Sequence, residues 1–300
     1  MMSPIEPTAS PETTHEPRPI SLLRRLLYSD RVKVTALQGF WRRLYYLSLF
    51  AMNYGGASGC IETSGEKWVL HHVVAPACAD TAAPVIFDVG ANIGLYAINA
   101  HIEIPNARIH AFEPSRETYE ILRNRIDAAG AVSLITPHNI GFSNASGEAD
   151  LFSYAIDGDE LSILASMVQR LPTQEAKIDA CRTDRVKVET IDHFCLANAI
   201  PAIDLLKIDV EGHELAVLQG ANRILNSGNL RMIQFEFGPA NIYSRTYFFD
   251  FWEMLSKLYR IYRIVPRGIV PMDTYREQHE VFLTSNFLAI CKAPAIEAGD

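Results

Sequence analysis

From residue 84 to residue 129 the chain alternates short continuous apolar runs with segments of helical periodicity. A short apolar run without polar alternation is typical of a strand that is covered on both faces, as in a parallel sheet. Between residues 116 and 129, Tyr119, Leu122 and Ile126 recur at helical spacing, with charged side chains on the other face. The pattern therefore predicts an α/β order: strand 85–87, helix 93–100, strand 107–113 and helix 116–129.

The second half of the chain continues this alternation, with one exception. Residues 147–154 alternate polar and apolar side chains, which predicts an additional strand at a sheet edge. The exception is the polar, irregular segment 156–185, with a short helical pattern at 161–170, which we interpret as a lid or a substrate loop. The other predicted elements are strand 132–142, strand 205–208, helix 214–225 and strand 232–238.

The first 63 residues do not continue the pattern. Residues 1–19 carry prolines at positions 4, 7, 11, 17 and 19 and little apolar surface, which predicts a disordered tail. Residues 20–63 are apolar and basic, and we predict a helical extension that packs on the main domain or on a dimer partner. The apolar run 44–52 is far shorter than the roughly 20 residues of a membrane-spanning helix. Arginine pairs at 24–25 and 42–43 leave contact with a membrane surface open as an alternative.

Composition narrows the class of function. The net charge of -8 and the pI near 5.6 argue against binding to nucleic acid or to an anionic membrane. The five cysteines have no CxxC spacing, which predicts buried thiols in a reducing, cytoplasmic compartment rather than a zinc site or a disulfide framework. No signal-peptide pattern is visible. The length predicts one domain at 64–292, followed by a tail at 293–300.

The turn after the first predicted strand, DVGANIG at 88–94, indicates a ligand site. Gly90 and Gly94 permit a tight turn and let a ligand approach the backbone, and the following helix starts with unpaired N–H groups. Glu113 ends the next strand about 20 residues later, where an acid can accept hydrogen bonds from both ribose hydroxyls of a nucleoside. Together these features predict a nucleoside-type ligand at the carboxyl edge of the sheet.

Two other interpretations of this turn stay open. An ordinary strand–turn–helix corner, or a scaffold protein that binds a nucleoside without turnover, would use the same residues. An NAD-dependent oxidoreductase is disfavoured, because Asn92 stands where dinucleotide-binding folds often carry glycine.

Acids end four of the predicted strands: Asp88, Glu113, Asp209 and Glu236. Ligands of open α/β sheets bind outside the carboxyl ends of the strands. We therefore predict that Asp209, Glu211 and His213, together with Glu236, carry the chemistry. The alternatives are a helix-capping carboxylate for Glu211 and Glu214, and a surface histidine at a helix start for His213.

Residues 64–292, about three quarters of the chain, resemble the FkbM family of S-adenosylmethionine-dependent methyltransferases. The most specific segment is LLKIDVEGHE at 205, because the element KIDVEGxE is rarely seen elsewhere. The other matching segments are DVGANIG at 88, AFEP at 111, HNIGFS at 138, ETID at 189, VLQGA at 217 and NFLA at 286.

The resemblance implies a class I, Rossmann-like fold: a seven-stranded, mostly parallel sheet with helices on both faces and an antiparallel last strand at 281–291. It also implies S-adenosyl-L-methionine as the cofactor. The glycine turn would approach its methionine part, Glu113 its ribose, and Asn139 and Ser143 its adenine. The implied cofactor-binding residues are Asp88, Gly90, Asn92, Gly94, Glu113, Pro114, Asn139, Ser143 and Asp209.

The function expected from this resemblance is O-methylation of a hydroxyl on a small molecule or a glycan by in-line methyl transfer. A carboxylate or a neutral imidazole would take the hydroxyl proton, and we place Asp209 and Glu211 ahead of His213 in that role. Asp209, Glu211 and Glu236 could also supply oxygen ligands to magnesium. No regularly spaced ligand set supports a metal, so we expect these acids to act without one.

Overall fold

The computed structural model of the protein describes residues 37–56, 60–156, 164–169 and 178–292. The chain divides into two compact units, residues 1–49 and residues 50–300. The predicted tails 1–19 and 293–300 lie outside the described residues, as does the stretch 20–36 of the predicted extension. In the described ranges, no helix is both long enough and apolar enough to cross a membrane.

Helices precede the first strand and then alternate with most of the strands. A π-helical turn spans Leu70–Val74, and a 3₁₀ turn spans Glu277–His279. In the part of the chain that the structure describes, the α-helices are α1 (Gln38–Ala51), α2 (Ile61–Ser64), α3 (Glu66–Val69), α4 (Ala75–Ala77), α5 (Leu95–Glu103), α6 (Arg116–Ala128), α7 (Ile191–Ala197), α8 (Glu214–Gln219), α9 (Asn222–Asn226), α10 (Ala240–Ser244) and α11 (Phe248–Leu255).

The strands form two sheets. The described strands are β1 (Val85–Val89), β2 (Arg108–Phe112), β3 (Ile135–His138), β4 (Gly141–Phe142), β5 (Gly147–Ile156), β6 (Leu164–Ser166), β7 (Ile178–Glu189), β8 (Ile203–Ile208), β9 (Leu230–Phe237), β10 (Tyr259–Val265), β11 (Gly268–Met272) and β12 (Ser285–Cys291). The large sheet has the order β11-β10-β12-β9-β8-β1-β2-β3, and the small sheet has the order β4-β7-β5-β6.

The large sheet confirms the predicted fold class but not its strand count. β3, β2, β1, β8 and β9 are parallel, and β12 pairs antiparallel with β9, as expected of the last strand. The prediction of seven strands is wrong, because β11 adds an eighth strand at the edge beside β10. The short connection 266–267 folds this segment back as a hairpin, and Pro271 is tolerated in it because β11 is an edge strand.

The single strand predicted at 132–142 is wrong, because the structure divides it between the two sheets. β3 pairs with β2 as far as His138, opposite Phe112. The Asn139 side chain then donates hydrogen bonds to the carbonyl oxygens of Glu113 and Pro114, at 2.9 and 3.0 Å. These bonds hold the chain beyond the end of β2, and the next residues form β4 of the small sheet.

The small sheet corrects the interpretation of residues 156–185. The strand predicted at 147–154 is confirmed as β5, but it pairs in the small sheet rather than at the edge of the large one. β7 lies where an irregular segment is predicted and pairs antiparallel with β5 along nearly its whole length. Within the predicted helix 161–170, residues 164–166 form β6 instead. Much of the predicted lid, 157–163 and 170–177, lies outside the described residues.

Two predicted helices have different bounds in the structure. Helix 93–100 begins at Leu95, because Gly94 precedes it with a left-handed φ of +84°. The single helix predicted at 214–225 is wrong, since α8 ends at Gln219 and α9 begins at Asn222. A Cβ at Gly220 would overlap the carbonyl oxygen of Ser143, so a neighbouring loop packs directly against the backbone at this break.

Helices cover both faces of the large sheet. One face, which carries Ile86, Leu205 and Met232, packs against residues 61–78, α5 and α6. The other face, with Phe87 and Leu206, packs against α7, α8, α9 and α11. The first face is apolar up to its carboxyl end, where buried polar side chains replace the aliphatic ones.

Candidate active site

A cavity of about 650 Å³ opens at the carboxyl edge of the large sheet. Its walls come from the ends of β1, β2, β8 and β9, from α3 and α5, and from the small sheet. Eight predicted site residues line it: Asp88, Gly90, Asn92, Glu113, Pro114, Asp209, Glu211 and Glu236. The other four lie outside this lining: Gly94, Asn139, Ser143 and His213.

Strand register places a first set of polar side chains side by side. Asp88 of β1 is paired with Lys207 of β8, and Lys207 is paired with Gln234 of β9. Laterally paired residues of neighbouring strands point to the same face of the sheet. We call these three residues the inner row.

A second set lies two residues closer to the cavity mouth. Asp209 directly follows β8, and Glu236 of β9 is paired with Asn286 of β12. Side chains two residues apart in a strand share a face, so these residues stand above the inner row. We call Asp209, Glu236 and Asn286 the outer row.

Asp88 is a fully buried carboxylate in the middle of the large sheet. Among the described residues, none donates a hydrogen bond of normal geometry to either carboxylate oxygen of Asp88. The backbone N–H of Ala97 has only a small lowering effect on the pKa of this carboxyl. Burial raises the pKa of Asp88 to about 6, although the nearby Lys207 ammonium opposes the shift. Asp88 therefore presents two unsatisfied acceptor oxygens to the cavity.

Lys207 supplies the positive charge beneath the acids. Its ammonium lies 2.9 Å from Asp209 Oδ2, 3.8 Å from Glu66 Oε1 and 5.1 Å from the centre of the Tyr96 ring. Burial alone lowers the pKa of Lys207, but the carboxylates of Asp209, Glu66 and Asp88 outweigh burial and raise it above its usual range. Lys207 is thus a fixed cation and not a proton acceptor.

Sequence reasoning missed Lys207 and the side chains around it. Tyr96 donates a hydrogen bond to Gln234, and Gln234 donates one to Glu66, at 3.1 and 2.8 Å. Burial raises the pKa of Glu66, with Lys207 opposing the shift. The feature that could have indicated this group is a lysine within the apolar strand LLKI, since lysine is almost never fully buried without a partner.

Glu113 lies in the predicted place, directly after β2, and it is 6 % exposed. Its two carboxylate oxygens accept backbone hydrogen bonds from Asn92 and Ser115, at 3.0 and 2.9 Å. Burial raises the pKa of Glu113 to about 7, and the two N–H donors oppose that shift. Each carboxylate oxygen can accept a second hydrogen bond, so a fixed pair of acceptors remains for a diol.

The glycine turn is constrained by the protein itself. Gly90 has a φ of +79°, and its N–H donates a hydrogen bond to the Phe112 carbonyl. A Cβ at Gly90 would overlap the carbonyl oxygen of Asp209, so the loops after β1 and β8 touch through their backbones. At Gly94 a Cβ would lie 2.6 Å from the Leu122 side chain. Close helix and loop packing therefore requires both glycines, in addition to any approach by a ligand.

Three acids of the cavity wall form a cluster. One carboxylate oxygen each from Asp209, Glu211 and Glu236 lies within 4.8 Å of the other two. Burial, followed by the charges of Asp209 and Glu211, raises the pKa of Glu236 well above its usual range. Glu236 lies within β9 and not directly after it, and its backbone is paired with that of Asn286 in β12.

The loop that carries Glu211 is held from two sides. Glu211 adopts a left-handed φ of +56°, and its carbonyl oxygen accepts a 2.7 Å hydrogen bond from Ser166 of the small sheet. The buried carboxylate of Glu214 accepts hydrogen bonds from the N–H groups of Gly212 and Val210. Burial raises the pKa of Glu214 to about 7, with the Gly212 N–H opposing. Glu214 thus binds backbone N–H groups of the loop that precedes its helix, which is close to the helix-capping alternative that the sequence left open.

His213 points away from the acid cluster. Its Nε2 lies 2.9 Å from Ser143 Oγ, and neither residue lines the cavity. Burial lowers the pKa of His213, so the imidazole is neutral at pH 7. Asn139, Ser143 and His213 therefore lie in the layer behind the cavity wall.

The charge of the cavity suits a cationic ligand. Its lining contains six carboxylic side chains and, among the described residues, one basic side chain, that of Lys207. A ligand that carries positive charge would reduce the repulsion among these acids, whereas an anionic ligand would increase it. The arrangement fits a cationic nucleoside with its ribose at Glu113.

Comparison with known proteins identifies the domain. A family model described as "Methyltransferase FkbM domain" matches residues 88–263, more than half of the chain. The matched range contains the glycine turn, Glu113 and the acids after β8.

Three relatives are similar to this chain over part of their length. The "Hexuronic acid methyltransferase AglP" of Haloferax volcanii is 29% identical over 174 residues, 58% of this chain and 64% of the relative. The "31-O-demethyl-FK506 methyltransferase FkbM" of Streptomyces tacrolimicus is 28% identical over 158 residues, 45% of this chain and 58% of the relative. The "2-O-methyltransferase NoeI" of Sinorhizobium fredii is 26% identical over 164 residues, 53% of this chain and 65% of the relative. The chain thus spans less than two thirds of each of these relatives.

Proposed function

Because the chain belongs to the FkbM methyltransferase-domain family, we propose that it transfers a methyl group from S-adenosyl-L-methionine to a hydroxyl of a small molecule or a glycan. The observation that carries this proposal is the acid-lined cavity, with the backbone-held Glu113 at one end and the acid cluster at the other.

The residues present fit this cofactor. Glu113 accepts hydrogen bonds from the two ribose hydroxyl groups, because its carboxylate is already oriented by hydrogen bonds from two backbone N–H groups. The loop at Gly90 and Asn92 borders the methionine part, and the unsatisfied oxygens of Asp88 face a cavity that suits a cation. Pro114 borders the adenine side, and Asn139 and Ser143 lie behind that part of the wall.

The acid cluster supplies the chemistry of the acceptor side. When bound, the cofactor would supply an electrophilic methyl group on a sulfonium sulfur, and this sulfur would become a neutral thioether once the methyl group is transferred to the acceptor oxygen. The acceptor hydroxyl must lose its proton as that bond forms, and a carboxylate of Asp209, Glu211 or Glu236 accepts it. Lys207 holds Asp209 in place through their ion pair, so positioning contributes to the rate.

The small sheet forms the remaining wall, where the acceptor enters. Leu151, Ala165 and Met167 present apolar surface to the cavity. An acceptor with a hydroxyl beside an apolar or ring surface fits such a site. The names of the three relatives refer to a hexuronic acid, to 31-O-demethyl-FK506 and to a 2-O position, which supports an oxygen acceptor of this kind.

Two measurements on the full chain test the proposal. Calorimetry should show binding of S-adenosylhomocysteine and none of NAD. Radiolabelled methyl transfer from S-adenosylmethionine should then be detected to at least one member of a panel of sugar acids, polyols and hydroxylated macrocycles. Binding without transfer to any acceptor would favour a nucleoside-binding scaffold, and binding of NAD alone would favour an oxidoreductase.

A further inference from the structure

Helix α1 exposes a row of large apolar side chains. Phe40, Leu44 and Leu47 follow one another at spacings of four and three residues, so they lie on one face of the helix, and all three are exposed. Leu47 is 62 % exposed, and Phe50 in the next turn is 73 % exposed. We call Phe40, Leu44 and Leu47 the apolar face of α1.

The buried side of α1 lies opposite this face. Leu49 is the single buried residue of the helix. Because each residue turns an α-helix by about 100°, Leu49 lies about 200° around the axis from Leu47. Single apolar residues are common on protein surfaces, but a contiguous row on one helix face marks an interaction surface.

Charge distinguishes this segment from the rest of the chain. From residue 31 to residue 61 the sequence has four basic side chains and no acidic one, whereas residues 62–300 have 20 basic and 31 acidic ones. Two of the four, Arg42 and Arg43, lie on α1 and are exposed. The net charge of -8 argues against an anionic partner for the chain as a whole, but it conceals this basic segment. The charge of α1 complements a negatively charged surface.

The aromatic residues of α1 favour a lipid surface over other anionic partners. Trp41, Tyr45 and Tyr46 lie within six consecutive residues. Their rings are apolar with one polar atom each, and such side chains are enriched at the depth of lipid headgroups. Arginine stems cover apolar surface while the guanidinium groups reach outward to phosphates. Nucleic acid would use the positive charge but not the apolar face.

We propose that α1 binds the surface of an anionic membrane, with its apolar face among the acyl chains next to the headgroups and with Arg42 and Arg43 at lipid phosphates. The helix lies along the surface, because its 14 residues are fewer than the roughly 20 that span a bilayer. Burial of apolar area and attraction to anionic lipids together determine the strength of such binding. The proposal does not rest on the proposed function, since membrane binding requires neither the cofactor nor an acceptor.

Flotation of the full chain with vesicles tests this proposal. The vesicles contain either phosphatidylcholine alone or phosphatidylcholine and phosphatidylglycerol in equal parts. The wild type should float with the anionic vesicles, less with the neutral ones, and less with the anionic ones when the salt concentration is high. Tryptophan emission should shift to shorter wavelength on binding, and Trp41→Phe should lose most of this shift.

A double variant tests the apolar face. Phe40→Gln together with Leu47→Gln should weaken binding to anionic vesicles at least about tenfold, because two large side chains no longer enter the apolar region. The matched control, Ile102→Gln together with Leu196→Gln, changes two apolar residues that are exposed on α5 and α7. This control should bind as the wild type does.

A second double variant tests the charge. Arg42→Gln together with Arg43→Gln should also weaken binding to anionic vesicles at least about tenfold, since each arginine near such a surface contributes about fivefold. Arg260→Gln together with Arg267→Gln is the matched control, because both arginines are exposed elsewhere on the protein, and it should bind normally. Melting temperatures check that each variant is folded, and the arginine variant keeps the test valid if the apolar variant is not.

Four outcomes would overturn the proposal. The first three are no binding of the wild type to anionic vesicles, equal binding to neutral and anionic vesicles, and equal binding by the wild type and both α1 variants. The fourth comes from sedimentation velocity without vesicles. A wild-type dimer that becomes a monomer in the Phe40→Gln, Leu47→Gln variant, with no vesicle binding by the wild type, would assign the apolar face to a second copy of the chain.

Discussion

The ammonium of Lys207 lies 2.9 Å from the carboxylate of Asp209, two residues later in the chain. The exposed fraction of the lysine side chain is 4%, and that of the aspartate is 33%. The lysine is therefore the buried partner, and it lies where the charges of Asp88 and Glu66 also act on it. Removal of its charge would leave several carboxylates of the cavity wall without a cation.

Lys207→Met tests the importance of this buried charge for stability. Loss of one partner of a buried ion pair costs about 3–5 kcal/mol, and the partial exposure of Asp209 reduces the expected loss to about 2–3 kcal/mol. Urea unfolding measures the change in the free energy of unfolding. The exposed Lys257→Met should change it by less than about 0.5 kcal/mol. Equal unfolding midpoints for the two variants would show that Lys207 is not a structural cation.

Gly90→Ala tests the backbone contact between the loops after β1 and β8. The added Cβ would overlap the Asp209 carbonyl, and a positive φ is strained for alanine as well. Gly130→Ala is a matched control, since Gly130 has a φ of +66° but no atom within 4 Å of the new Cβ. We expect the control to lose about 1 kcal/mol and Gly90→Ala to lose at least about 2 kcal/mol more in urea unfolding. A similar loss for both variants would mean that the loops separate easily.

Much of the fold could be predicted because parallel strands covered on both faces appear as continuous apolar runs. β1, β2, β8 and β9 are such runs, and the acids beside them mark one edge of the sheet. The small sheet could not be predicted in the same way, because the strands that form most of it have exposed, charged faces. β7 is largely polar, and among its described side chains Val186 and Val188 belong to a small apolar cluster.

The sequence predicted where the site lies in the fold, but it did not predict which side chains interact with one another there. Eight of the chosen residues line one cavity, because each lies in or next to a strand end or in the glycine turn. Lys207, Glu66 and Asn286 depend on which strands are neighbours and on register, and a sequence pattern does not contain that information. His213 lies in the predicted loop, but its ring turns to Ser143. A single residue's spacing cannot predict that rotation.

Glu113→Ala tests the ribose assignment. Removal of an ionised hydrogen-bond acceptor should weaken binding of S-adenosylhomocysteine by about 1.5–3 kcal/mol, measured by calorimetry. The variant must keep the wild-type circular dichroism spectrum, because Glu113 also accepts two backbone hydrogen bonds. Glu253→Ala, an exposed acid on α11, should bind the ligand normally. Unchanged affinity of a folded Glu113→Ala variant would remove Glu113 from the cofactor site.

The raised pKa of Glu113 also predicts how stability depends on pH. Its pKa is about 7 in the folded protein and near 4.5 for a glutamate surrounded by water, so the folded state binds more protons between these values. The protonated, buried carboxyl group of Glu113 contributes to the free energy of unfolding. This contribution is fully present below about pH 4.5 and is lost as the pH rises to about 7. The loss amounts to roughly 3 kcal/mol at most.

Melting temperatures of the ligand-free protein between pH 5 and pH 8 measure this effect. The wild type should become less stable as the pH rises through this range, and Glu113→Gln should show a smaller decrease. The pKa of Glu214 is also raised to about 7, so part of the decrease in stability with pH should remain in that variant. A wild-type stability that increases from pH 5 to pH 7 would contradict the raised pKa of these buried acids.

The last prediction concerns the proton acceptor of the proposed reaction. Asp209 and Glu211 line the cavity within 4.8 Å of each other through one oxygen each, whereas His213 bonds to Ser143 outside the lining. Asp209→Asn or Glu211→Gln should therefore lower kcat at least about 100-fold, the low end for general acid–base catalysis. Both changes are nearly isosteric, so binding of S-adenosylhomocysteine should stay within a few fold. His213→Ala should lower kcat by less than about tenfold, because it acts only through the loop. If both amide variants keep normal turnover while His213→Ala is inactive, the imidazole must rotate into the cavity during the reaction, and the assignment of the base to the carboxylates is wrong.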